Sequence, residues 1–189
     1  MKSREEIEKW LLENCVNENG DLDLSGLDFS DFEGNVDISK MKVKKNLRQN
    51  NQIVKGSLDQ TFQHVENNLF QCFQEVQGDL LQDFQKVGGK LDQDWQRVKE
   101  SLFQDNQKVG GNLHQGSQEV KGHLFQHKQI VEKNLYQYNQ KVKSNLFQHH
   151  QKVDGTLYQG SQEVKGNLYQ YNQKVEENLY SDESKVKDK

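Results

Sequence analysis

From Val43 onward the chain repeats itself every 11 residues. Units begin at Val43, Val54, Val65 and so on to Val175, 13 copies without an insertion or deletion, with the consensus Val-x-Gly-x-Leu-x-Gln-x-x-Gln-x. A fixed short period implies a repeat architecture in which each unit packs mainly on its neighbours. Positions are numbered here from the Val, one to eleven. Composition alone points elsewhere: 32% hydrophobic residues and a mean hydropathy of −1.06 describe a chain too polar to build a core. A disordered chain, however, has no reason to hold Val and Leu at constant phase.

Three structures can carry such a unit. In the first, odd positions one to seven (Val, Gly, Leu, Gln) point inward and the even ones outward, as along a strand. Positions eight and nine then turn the chain. One 11-residue coil is too narrow inside for both Val and Leu. Two units, 22 residues, leave room for two facing sheets about 10 Å apart. In the second, Val and Leu join Phe62, Phe73, Phe84 and Trp95 at position nine to form the apolar stripe of an 11-residue helical repeat. That stripe turns polar from Asn106 onward, Gly88-Gly89 and Gly110-Gly111 interrupt it, and the sequence contains no Ala, the best helix former. In the third, units pair as hairpins, whose two-residue turns call for an Asn-Gly order that is mostly missing. The first reading is favoured: an all-β solenoid of about six or seven coils.

The flanks divide the chain further. Residues 1–20 are expected to form a helical cap, with Ser3 and Glu6 as a capping box and Ile7, Trp10, Leu11 and Cys15 on one face, Trp10 serving as anchor. Residues 21–42 are expected to make a transitional first coil, 43–180 the solenoid and 181–189 a polar tail. In the transitional segment large apolar residues recur at Leu22, Leu27 and Phe32, five apart, followed by Val36, Ile38, Met41 and Val43. This stretch resembles the pentapeptide-repeat family, and the Val-x-Gly-x-Leu core resembles the strand units of bactofilin-like β-helices. The first resemblance implies a quadrilateral β-helix and, by analogy with family members that mimic DNA and inhibit topoisomerases, an inhibitor. The second implies a self-assembling scaffold.

Net charge is −4, so a nucleic-acid partner is not expected. No apolar run reaches transmembrane length, and a membrane partner enters only with the helical reading. Cys15 and Cys72 form no ligand or disulfide pattern, which fits a cytoplasmic protein, or a viral one in its host's cytoplasm. No catalytic constellation, cofactor motif or metal-ligand spacing is present. His127, His149 and His150 gather near one corner but are read as solvated, and the Gln at positions seven and ten as structural. The expected binding surface is a set of exposed columns: Phe103, Phe125, Phe147 and Tyr169 on one side, Tyr136, Tyr158 and Tyr180 on the other, and Lys99, Lys121, Lys143 and Lys165 at position two. The expected function is non-catalytic: a rod that binds a protein, as a phage-encoded inhibitor of a host nuclease or defence enzyme would, with homo-oligomerisation left open.

Overall fold

A computed structural model describes residues 9–11, 13–29, 34–182 and, for the backbone alone, 185–186. The capping-box pair, Ile7 and Phe32 lie outside the described residues. The chain winds into a parallel β-solenoid of about seven coils. From the first repeat onward Cα partners on neighbouring coils are 22 residues apart, as in Leu47↔Leu69 and Val54↔Val76.

The coil has four sides, not the two facing sheets expected from strand alternation. Each unit contributes two short strands, at positions eleven–one and five–six, and bends between them. Successive strands build four sheets. Sheet I runs from Leu22–Asp23 to Leu179–Ser181, sheet II from Asp28–Phe29 to Lys185–Val186, sheet III from Val36–Asp37 to Leu168–Tyr169 and sheet IV from Lys42–Val43 to Lys174–Val175. The chain visits IV, I, II and III in turn, so I stands opposite III and II opposite IV. Sheet II shows that the repeat register continues through Lys185–Val186, into the segment expected to be tail.

The four sides follow from position three. Alternation would send it inward. Instead positions two and three bend the chain, and Lys45 at position three is exposed. Gly suits this corner because consecutive coils press together there. A Cβ on Gly122 would come within 2.7 Å of the Glu100 carbonyl oxygen one coil below.

The other two corners, at positions eight and nine, demand a left-handed residue. All 13 position-nine residues from Lys40 to Asn172 have φ between 51° and 60°, and none is glycine. Asn accepts this conformation readily; for Phe62, Trp95 or Lys128 it costs roughly 1–2 kcal/mol each.

Inside, the position-one Val and position-five Leu side chains from Val54 to Val164 are at most 3% exposed. They form two separate apolar wings, one between sheets IV and I and one between sheets II and III. Each fully buried Val or Leu contributes about 1.5–3 kcal/mol. Between the wings lies a spine of glutamines from positions seven and ten, 0% exposed from Gln49 through Gln115. Amides from opposite corners meet at the centre. Gln104 Nε2 donates to Gln82 Oε1 one coil below at 3.0 Å and to Gln96 Oε1 across the rod at 3.1 Å. Its own Oε1 accepts from Gln126 and Gln118. Position-ten amides also reach the turn backbone, as Gln129 Nε2 does to the Gln104 carbonyl at 2.9 Å. The structural role expected of the glutamines thus takes the form of a continuous polar core.

The first coil ends that spine. In register with Gln49, Gln52, Gln60 and Gln63 stand Leu24, Leu27, Ile38 and Met41, an apolar plug that joins the two wings. Over it packs the helical turn ahead of the array. Its anchor is Leu11, 9% exposed, with Cys15 against the same cluster. Trp10, the expected anchor, is 49% exposed: the helix meets the plug through the Leu11–Cys15 edge, four residues apart on one face, and Trp10 falls outside it.

Candidate interaction faces

Position six points outward on sheets I and III, and position eleven on sheets II and IV. The rod therefore has two opposite aromatic sides and two opposite charged sides.

On sheet III, Phe103, Phe125, Phe147 and Tyr169 form one uninterrupted ladder, with ring centroids 4.8–4.9 Å apart and planes within 8° of parallel. On sheet I, Tyr136, Tyr158 and Tyr180 stack at 4.8 and 5.2 Å, and His114 extends the column at 4.5 Å from Tyr136. Phe103, Phe125, Phe147, Tyr136 and Tyr158 are only partly exposed, because each ring covers the faces of its neighbours, whereas Tyr169 and Tyr180, last in their columns, are exposed. What they offer to solvent is a strip of ring edges, the positive rim of the aromatic quadrupole. Lys99, Lys121, Lys143 and Lys165 stand exposed at the corner between sheets II and III, beside the sheet III ladder. His123 packs into the space between, its ring 5.8 Å from Phe125 and 6.3 Å from Phe147.

The charged sides differ from each other. Along sheet II, Glu75, Arg97, Glu119, Lys141 and Glu163 alternate in sign in direct register, with Arg97 Nη1 2.9 Å from Glu75 Oε1. Along sheet IV, His64, Lys86 and Lys108 are followed by Ile130, Lys152 and Lys174. There neutralisation comes from position two, through Lys152–Asp154 and Lys174–Glu176, both at 2.8 Å.

The edge between sheets I and II carries a step. Phe73 and Trp95 at position nine are 53% and 55% exposed and stack at 6.1 Å. Beyond them position nine holds Ser117, Asn139 and Ser161. A groove of about 880 Å³ runs from the two rings along these small residues and the alternating charges of sheet II. Phe62 and Phe84 stack at 4.8 Å on the opposite corner. Sequence reasoning used these four aromatics only as a helical stripe.

Sequence reasoning also missed the clamps at positions four and eight. There a side-chain oxygen accepts the backbone N–H of the next coil, as Asn134 Oδ1 does from Thr156 and Asp79 Oδ1 from Ser101, both at 2.9 Å. Asn and Ser recur at position four and Asp at position eight, and that recurrence was the available signal. Two of the clamping carboxylates are shifted by burial, Asp83 and Asp94 each being pushed up to about 6.

Among the described residues, the thiol and imidazole side chains sit in local contacts. Cys72 Sγ donates to Asp92 Oδ1 at 2.9 Å, and burial followed by that carboxylate holds the thiol protonated, which silences it as a nucleophile. His149 Nδ1 and His150 Nδ1 lie 2.7 Å apart, and His127 leans on His149 and contacts Asp105. Burial, with His127 and His150 beside it, lowers the His149 pKa. Among the described residues no three His, Cys, Asp or Glu side chains converge as a metal-binding group, and no helix is long and apolar enough to cross a membrane. No protein-family model, curated protein or solved structure matches the chain.

Proposed function

We propose that the chain is a non-catalytic rod that binds a protein through its sheet III side. One observation carries the reading: the unbroken ladder from Phe103 to Tyr169 lies beside the exposed column from Lys99 to Lys165. Such a strip needs no ordering on binding, since its rings are already immobilised against one another. Ring rims and ammonium groups both favour a partner that presents apolar side chains bordered by carboxylates. Nucleobases are a poorer match, because base recognition by stacking uses ring faces and these faces are occupied. The four-sided coil supports the pentapeptide-repeat analogy, and with it an inhibitor that works by covering a partner's functional surface. The mimicry form of that analogy draws less support, since Gly88 and Gly110 interrupt the acidic position-two column and lysines neutralise its later members. The test is a pull-down followed by mass spectrometry with the native chain and with Phe125→Ser/Phe147→Ser/Tyr169→Ser. A single stoichiometric partner, lost in the variant while its β circular-dichroism spectrum persists, is the expected result. Equal retention by the variant would overturn the reading.

A further inference from the structure

We infer that the sheet II side is a homodimer interface on which two rods lie antiparallel. Two independent features of that side share one centre of symmetry. The first is shape: the edge steps down between Trp95 and Ser117, with tall rings on one side and small residues on the other. The second is charge: Glu75, Arg97, Glu119 and Lys141 read minus, plus, minus, plus along the rod.

A two-fold axis lying across the rods, between the coils of Trp95 and Ser117, reverses the second rod and lays each column on its own copy. Trp95 then meets the second copy's Ser117, and Phe73 its Asn139, so the tall half of one edge fills the low half of the other. Under the same operation Arg97 meets the second copy's Glu119, and Glu75 its Lys141. Every one of these charges faces its opposite, as an isologous interface requires. The alternating ladder complements itself about any axis midway between two coils, and the step in shape selects the one between Trp95 and Ser117.

Sheet IV supplies the contrast. It has the same backbone, yet Lys86 and Lys108 would meet like charge under the equivalent operation. Lys99 and Lys121, at the far margin of the sheet II side, would also oppose each other, which confines the contact to its tryptophan edge. The aromatic ladders on sheets I and III remain uncovered, so dimerisation and partner binding are separate properties. The contact spans about 20 Å of rod at roughly 4.8 Å per coil. That is a small interface, so the dimer should dissociate on dilution.

Analytical ultracentrifugation of the intact chain over a concentration series tests the inference. Trp95→Ser should fold normally, because Ser117 and Ser161 already hold this left-handed position. It should raise the dimer dissociation constant by about tenfold or more, as loss of a central tryptophan does. A second variant reverses every sign on the ladder: Glu75→Lys, Arg97→Glu, Glu119→Lys, Lys141→Glu, Glu163→Lys and, in register after it, Lys185→Glu. Alternation within the rod survives, so this variant should dimerise with itself and fail to mix with the native chain when differently labelled copies are combined. A native chain that stays monomeric at all concentrations would overturn the inference. So would Trp95→Ser dimerising unchanged, or statistical mixing of native and reversed chains.

Discussion

The apolar wings and the glutamine spine are equally dry, yet they hold the rod by opposite physics. A wing is held by burial, which is non-directional and tolerates changes of shape. The spine is held by hydrogen bonds that must all be made at once, because an amide left unpaired at the centre has no water to turn to. The wings set which residues face inward; the spine sets how one coil sits on the next. A chain of such low hydropathy builds a dry interior because half of that interior is amide.

Four substitutions test this division, in order of expected effect. Leu135→Asp places a carboxylate in a wing with no partner and should cost several kcal/mol, read as local loss of hydrogen-exchange protection around that coil; protection equal to the native chain would refute the assignment of the wings. Gln104→Leu keeps the size and burial of the side chain. It also removes four hydrogen bonds at the centre of the spine, and should destabilise by about 2–4 kcal/mol in urea unfolding. If it proved neutral, the spine would be no more than a polar filler.

The third test concerns pH, because neither wing nor spine titrates but the clamps do. Asp83 and Asp94 have folded pKa values near 6, above the unfolded value of about 3.9. The folded state therefore holds extra protons between these limits, and stability falls as pH rises from about 4 to 6. Asp83→Asn should remove part of that fall and stabilise the rod at pH 7 by about 1 kcal/mol or less, after screening. Asn50 already clamps the Cys72 amide from the same position. Thermal melts at pH 4 and pH 7 would show it, and an unchanged pH profile would count against it. The smallest effect is expected at Gln49, whose Nε2 is buried without a partner above Leu24. Gln71, which donates to Gln49, also reaches Gln60 and Gln63. Gln49→Leu should thus shift stability by less than about 0.5 kcal/mol. A cost matching that of Gln104→Leu would show that the plug does not relieve the end of the ladder.

Much of this was legible from spacing. Constant phase placed Val and Leu inside, the 22-residue recurrence put Phe125 on Phe147 and Tyr136 on Tyr158, and the polar pairs at positions eight and nine marked a turn. The corner at position three was not legible, since Lys45, Asn67 and Gly89 occupy it equally well and Gly within a strand-like unit reads as one more inward residue. Nor was the left-handed turn residue, because Phe73 and Trp95 carry no preference for that conformation; the stacking of coils imposes it. The meeting of glutamines across the rod depends on four sides closing around them, which no local pattern encodes. The interaction columns were legible as columns, but that their ring faces are mutually covered follows only from the coil spacing.

The spine also has a direction. In each column the later glutamine donates its amide hydrogen to the carbonyl of the earlier one, from Gln71 to Gln49 and from Gln93 to Gln71. During synthesis the earlier coil leaves the ribosome first, and it then presents a row of empty acceptors in the register the next coil needs. Each coil is thus a template for its successor, and the apolar plug is the primer from which the copying starts.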